Sequence, residues 1–165
     1  MNIFVLSEDP QEAARQQCDR HVVKMALESA QILSSVRWRY GAEAPYKPTH
    51  AKHPCVLWAG ECAENYTWLW EHLGALLTEY TARYGKRHAV AFHLEALREP
   101  PPGLPACGQR TPFVQCMPEP YRLSGDPVQA YRNFYMGEKA RFARWKHGNT
   151  PAWYRPEAFE SPALR

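Results

Sequence analysis

The stretch Cys18–Ser34, CDRHVVKMALESAQILS, constrains the fold more than any other part of the chain. Wound as a helix, it is apolar around most of its circumference and carries one polar stripe. Gln17, His21, Lys24, Glu28 and Gln31 follow one another at steps of four, three, four and three, which stacks them along one side of a 3.6-residue helix. Cys18, Val22, Met25 and Ile32 make a second stripe, and Val23, Ala26, Leu27, Ala30 and Leu33 fill much of the remainder. Such a helix must be largely buried. Ionisable groups are costly to bury unless paired or hydrogen-bonded. A His, a Lys and a Glu on one seam therefore form either a structural network, such as a Lys24–Glu28 pair at i, i+4, or the wall of an active site.

The neighbouring segments also read as helices. Asp9-Pro10-Gln11-Glu12 supplies an N-cap, a proline at the first helical position and an acid at the third, so a helix starts near Pro10. It runs to about Tyr40 with a break near Cys18-Asp19, and Gly41 ends it. After a loop from Gly41 to His53, a second long helix is predicted from Pro54 to Gly85, with Trp58, Tyr66, Leu69, Leu73, Leu76, Leu77 and Tyr80 as its apolar face. A shorter helix is predicted over His88–Arg98. The eight prolines between Pro100 and Pro127 forbid regular helix and central strand alike, while Phe113, Val114, Met117 and Tyr121 anchor this segment as an ordered loop. Asp126-Pro127 then repeats the cap signature and opens a last helix of about twenty residues to His147-Gly148, followed by a proline-punctuated tail. Only Ile3–Leu6 offers itself as a strand. The expectation is an all-α fold, one compact domain over residues 1–165, with about four helices, two of them long.

Several classes fall away at this level. No apolar run approaches the roughly 18 residues that span a bilayer, and the first ten residues lack the basic segment and long apolar run of a secretory signal. A monomeric cytoplasmic protein with no membrane partner is expected. The five cysteines are odd in number and irregularly spaced, which favours free buried thiols over a disulfide framework. There is no G-x-S-x-G elbow, P-loop or dinucleotide glycine pattern. Cys18-x-x-His21 with His50-x-x-His53 and Cys55 could supply four zinc ligands, but Cys18 and His21 sit inside a helix rather than on a knuckle, so no metal or cofactor is expected.

Net charge is only +3, yet its distribution is informative. Arg132, Lys139, Arg141, Arg144, Lys146 and Arg155 lie within one segment, opposed only by Glu138 and interleaved with Tyr131, Phe134, Tyr135, Phe142, Trp145, Trp153 and Tyr154. Cations neutralise phosphates and exposed rings stack on bases, which suits a nucleic-acid surface; equally, the rings are the core face of a last helix and the cations its wet face. The polar stripe suits acid–base work on a sugar or base, with Glu28 as the carboxylate and His21 beside it. Two amines are at hand, Lys24 and the α-amine of the chain. The α-amine has an ordinary pKa near 7.7–8.0 against about 10.4 for lysine, which makes it the better imine former if Met1 and Asn2 lie close to the stripe.

Asp19-x-His21 with Glu28 seven residues after the histidine, His53-Pro54 opening a helix that closes at Arg83-Tyr84-Gly85, and then Met117-Pro118-Glu119-Pro120-Tyr121-Arg122, Glu138-Lys139 and Thr150-Pro151-Ala152-Trp153-Tyr154, occur in one order. In that order they resemble the phage pyrimidine-dimer DNA glycosylase family, also called endonuclease V, and its small bacterial relatives. The resemblance implies an all-α enzyme that meets duplex DNA from the minor groove, flips a base out and cuts its glycosidic bond. It implies an α-amine that forms an imine with deoxyribose, Glu28 as the assisting carboxylate, and abasic-site cleavage by β-elimination. His21 becomes the neighbouring helix residue, and Trp153 and Tyr154 the aromatics near DNA.

This chain departs from the pattern at definite places. Asn2 disfavours removal of the initiator methionine, which keeps Met1 beside Asn2 as a candidate for the amine, and the family's arginines fall on Ile3, Leu27 and Gln31. Gln17, Gln31, His50, His53, Arg83, His88 and Asn133 could then line a pocket repurposed for a nucleotide or modified base. A relative that modifies a base or nucleotide, and a non-catalytic DNA-binding module, are the alternative readings.

Overall fold

The computed structural model describes residues 1–162. Five α-helices carry the fold: α1 (Pro10–Gln16), α2 (Asp19–Arg39), α3 (Pro54–Ala59), α4 (Ala63–Tyr84) and α5 (Pro127–Phe134). The fold is all-α, with no strand among the described residues. The Ile3–Leu6 stretch is buried but pairs with no strand, and Phe4 turns its backbone into the left-handed region at φ 57°.

The two long helices make the core. Val22, Ala26, Ala30 and Leu33 of α2 and Leu69, Leu73 and Leu76 of α4 have no accessible surface, and α4 packs on both α1 and α2. The break before α2 falls where it was expected. Gln17 and Cys18 are extended, and the free amides at the start of α2 find long-range acceptors: Cys18 N–H donates to the Tyr135 hydroxyl at 3.3 Å and Asp19 N–H to the Arg144 carbonyl at 2.8 Å.

Three boundaries differ from the sequence reading. The predicted Pro54–Gly85 helix is interrupted between Ala59 and Ala63, because Asn65 Nδ2 donates to the Trp58 carbonyl and the Tyr40 hydroxyl to the Gly60 carbonyl, capturing acceptors that a continuous helix would use. The predicted His88–Arg98 helix is two 3₁₀ turns, Ala89–His93 and Glu95–Leu97, since the Trp70 indole and the Tyr66 hydroxyl take the carbonyls of Leu94 and Leu97. The predicted last helix is α-helical only to Phe134. It widens into a π turn over Tyr135–Lys139, where Gly137 lies under the buried Tyr121 ring so closely that a Cβ would stand 2.3 Å from its hydroxyl oxygen. The proline-rich loop is anchored as expected, with Phe113, Met117 and Tyr121 buried.

Candidate active site

Each residue of the α2 stripe meets a different environment. Gln17 turns fully inward: Nε2 donates to the Ile3 carbonyl at 3.0 Å and lies 3.2 Å from His72 Nε2, while His72 Nδ1 pairs with the Pro10 carbonyl at 3.0 Å. Its work is to hold the amino-terminal backbone. Asn2 completes the clamp, donating from Nδ2 to the Cys116 carbonyl at 2.7 Å and accepting from the amides of Ile3 and Phe4. Arg132 Nε holds the Leu6 carbonyl at 3.1 Å.

These anchors set the Met1 amino group 3.4 Å from Glu28 Oε1, with side-chain exposures of 3% and 14%. The i, i+4 alternative is thereby overturned: no ion pair joins Lys24 to Glu28 among the described residues. Glu28 Oε2 is buried and has no hydrogen-bond partner. A carboxylate oxygen left unsatisfied in a folded protein is expensive, and Gln17 Oε1 and the hydroxyls of Ser29 and Ser34 are equally buried and unpartnered.

Amine and carboxylate open onto a hollow of about 310 Å³. One wall is His21, Lys24, Met25 and Glu28 of α2; Met1, Asn2 and Phe4 form a second; Phe134, Lys139, Arg141 and Phe142 close the third. Arg20 completes the rim, its guanidinium 4.6 Å from the Phe142 ring centre. The α-amine, Arg20, Lys24, Lys139 and Arg141 therefore face a single carboxylate, so the hollow favours an anion. Lys139 sits 4.7 Å above the Phe134 ring, and burial, with the charge of Arg141 next, pulls its ammonium below the ordinary lysine range.

His21 is buried between Phe4, stacked at 4.2 Å, and the Tyr135 hydroxyl, 2.5 Å from Nδ1. Burial, reinforced by the charges of Lys139, Lys24 and Arg20, lowers its pKa to about 3. The ring is neutral at any working pH. Its contacts are the Phe4 stack and the Tyr135 hydroxyl.

The residues offered for a repurposed pocket are not gathered here. None of Gln17, Gln31, His50, His53, Arg83, His88 and Asn133 lines the hollow. Arg83 is buried elsewhere, pairing with Asp19 at 3.1 Å and Glu79 at 3.0 Å and donating to the carbonyls of Gln17 and Arg15. His53 and His88 cap short helical segments, His50 pairs with the hydroxyl of Thr49, and Asn133 accepts from Gln129. Gln31 is half-buried on α2.

The basic, aromatic carboxy-terminal segment divides. Lys139 and Arg141 reach the hollow; Arg144 caps the carbonyls of Ala140 and Ala143, and exposed Lys146 gives its backbone amide to Asp19. Tyr131, Phe134, Tyr135 and Trp145 are buried core. Trp153 and Tyr154 are half-buried, the Trp153 indole donating to Gln16 and its ring lying 5.4 Å from the Arg132 guanidinium. The core-face reading of this segment holds for those four rings, while Phe142, Trp153 and Tyr154 keep part of their surface exposed. Phe4 and Arg20, which complete the hollow, carry no sequence signal beyond an apolar start and a cation beside His21.

The suggested zinc set does not assemble, since His53 and Cys55 cluster with Cys116 while Cys18 lies against Tyr135. No helix among the described residues is long and apolar enough to cross a membrane. A family model described as pyrimidine dimer DNA glycosylase matches residues 1–92, more than half of the chain and all of α1 to α4. No curated protein and no solved structure matches the chain.

Proposed function

The chain belongs to the pyrimidine dimer DNA glycosylase family, and on that footing we propose that it excises a base from duplex DNA and then cleaves the abasic site, with the Met1 α-amine as nucleophile and Glu28 as its carboxylate partner. The observation that carries this reading is the 3.4 Å contact between that amine and Glu28 Oε1, beside a carboxylate oxygen with no partner.

The unprotonated amine attacks C1′ of the deoxyribose; the C1′–N bond breaks, and the base leaves with the electron pair and takes up a proton. One proton of the attached nitrogen passes to Glu28 and on to O4′ as the C1′–O4′ bond opens, which leaves a protonated imine. Loss of a C2′ proton then expels the 3′ phosphate. Neutral His21 positions Phe4 and the first residues through its stack. Lys24 is the competing amine, more basic as a class and more exposed.

DNA approaches across the cationic rim. Arg20, Lys24, Lys139 and Arg141 take phosphates flanking the flipped nucleotide, in place of the arginines that this chain lacks at Ile3, Leu27 and Gln31. Lys146, Trp153 and Tyr154, outside the hollow, are offered as further DNA contacts, with Arg132 and Arg144 beside them in the chain. The test is incubation with three matched duplexes, carrying a pyrimidine dimer, an abasic site or neither. Cleavage of the first two and not the third is expected. Intact abasic duplex under saturating binding would remove the lyase step, and intact dimer duplex the glycosylase step.

A further inference from the structure

Four of the five cysteines stand in two pairs that join the α3–α4 region to the proline-rich loop, and neither pair enters the chemistry above. Cys55 Sγ and Cys116 Sγ are 3.3 Å apart, and a His53 imidazole nitrogen joins them, the three donor atoms all lying within 4.8 Å of one another. Cys55 is fully buried, Cys116 and His53 partly so. The His53 ring is already fixed, since Nδ1 accepts from Cys55 N–H at 3.1 Å as the cap of α3. We propose that His53, Cys55 and Cys116 are a binding site for a thiophilic divalent cation of the zinc class.

The donor set selects the ion. Two sulfurs and one imidazole suit zinc and disfavour magnesium and calcium, which take oxygen. Tetrahedral zinc, with Zn–S near 2.3 Å and Zn–N near 2.0–2.1 Å, spaces its ligand atoms roughly 3.5–3.8 Å apart, so the sulfurs open by a few tenths of an ångström and the imidazole nitrogen, within 4.8 Å of both, closes by up to about 1 Å. Three protein ligands leave a fourth position for water. The second pair, Cys62 and Cys107 with Glu64, is a poorer cage, because Cys107 is exposed to solvent and a carboxylate replaces the imidazole. Bound metal would tie the start of α3 to the residue whose carbonyl clamps Asn2. It would therefore brace the amino-terminal segment from behind, whatever reaction the hollow performs.

The full chain, reduced and freed of metal, is titrated with Zn²⁺ against a chromophoric chelator and, separately, with Co²⁺. One tight equivalent of Zn²⁺ is expected, with thiolate-to-cobalt charge-transfer absorption and a higher melting temperature in the loaded form. His53→Ser keeps a helix-capping side chain and removes the imidazole; it and Cys116→Ser weaken binding by roughly 100-fold or more, whereas Cys107→Ser leaves it unchanged. Circular dichroism establishes that each variant is folded. Absence of stoichiometric binding in the reduced wild type overturns the proposal, as does affinity that survives His53→Ser or vanishes in Cys107→Ser. A Cys55–Cys116 disulfide that forms in place of metal uptake also overturns it.

Discussion

Glu28 stands 3.4 Å from the Met1 amino group, and only one of its two oxygens is paired. Replacing it by glutamine keeps the shape and removes the negative charge. Glu28→Gln should therefore slow base release by about 10²–10⁴-fold in single-turnover assays, the range for a positioned acid–base group, while the far-ultraviolet spectrum is unchanged. An equal rate would mean that the carboxylate only anchors the amino terminus. The α2 stripe was legible in the sequence because a 3.6-residue period needs no tertiary information. What each member of the stripe does was not. Gln17 turns in to hold Ile3 and Phe4, Lys24 faces solvent, and Glu28 pairs with a residue 27 positions earlier in the chain. Phe4, in the left-handed region and stacked on His21, owes its place to the Asn2 and Gln17 hydrogen bonds rather than to any local preference.

Among the elements, α1, α2 and α4 meet at Arg83. Its guanidinium pairs with Asp19 and Glu79 and caps the end of α1 through the carbonyls of Arg15 and Gln17, and Gly148 passes so close that a Cβ would stand 2.8 Å from Nε. Arg83→Leu leaves Asp19 without its buried partner and α1 without its cap. A loss of about 3–5 kcal/mol in urea unfolding is expected, the usual cost of stranding one half of a buried pair. Loss of less than about 1 kcal/mol would show that water replaces the guanidinium. Helix starts were legible from Asp9-Pro10 and Asp126-Pro127, whose carboxylates accept from the third residue of each helix. Helix ends were less so. Local pattern favoured continuing past Ala59 and Phe134, and side-chain contacts from Asn65, Tyr40 and Tyr121 decided otherwise.

For the molecule as a whole, two buried histidines fix how stability responds to acid. His21 and His72 have pKa values lowered by burial to about 3 and about 4, against 6.5 in the unfolded chain. Each stays neutral in the folded protein while the unfolded state gains a proton, so stability present above pH 6.5 is lost as pH falls toward the folded values. At pH 5 the loss is about 2 kcal/mol for each histidine, measurable as a lower urea midpoint than at pH 7.5. A midpoint that holds steady to pH 5 would contradict the burial of both rings. The all-α class and the likeness to a DNA glycosylase family were legible from capping signals and motif order across the chain. The hollow was not, because it closes only when the first residues, α2 and the segment after α5 come together. The proposed nucleophile is the α-amine held against Glu28. Borohydride reduction on an abasic duplex, followed by intact-mass measurement and peptide mapping, reads out the nitrogen that attacks. One deoxyribose remnant per chain on the amino-terminal nitrogen of the peptide beginning at Met1 is the expected result; a remnant on Lys24 or Lys139, or no adduct at all while the duplex is cut, contradicts it.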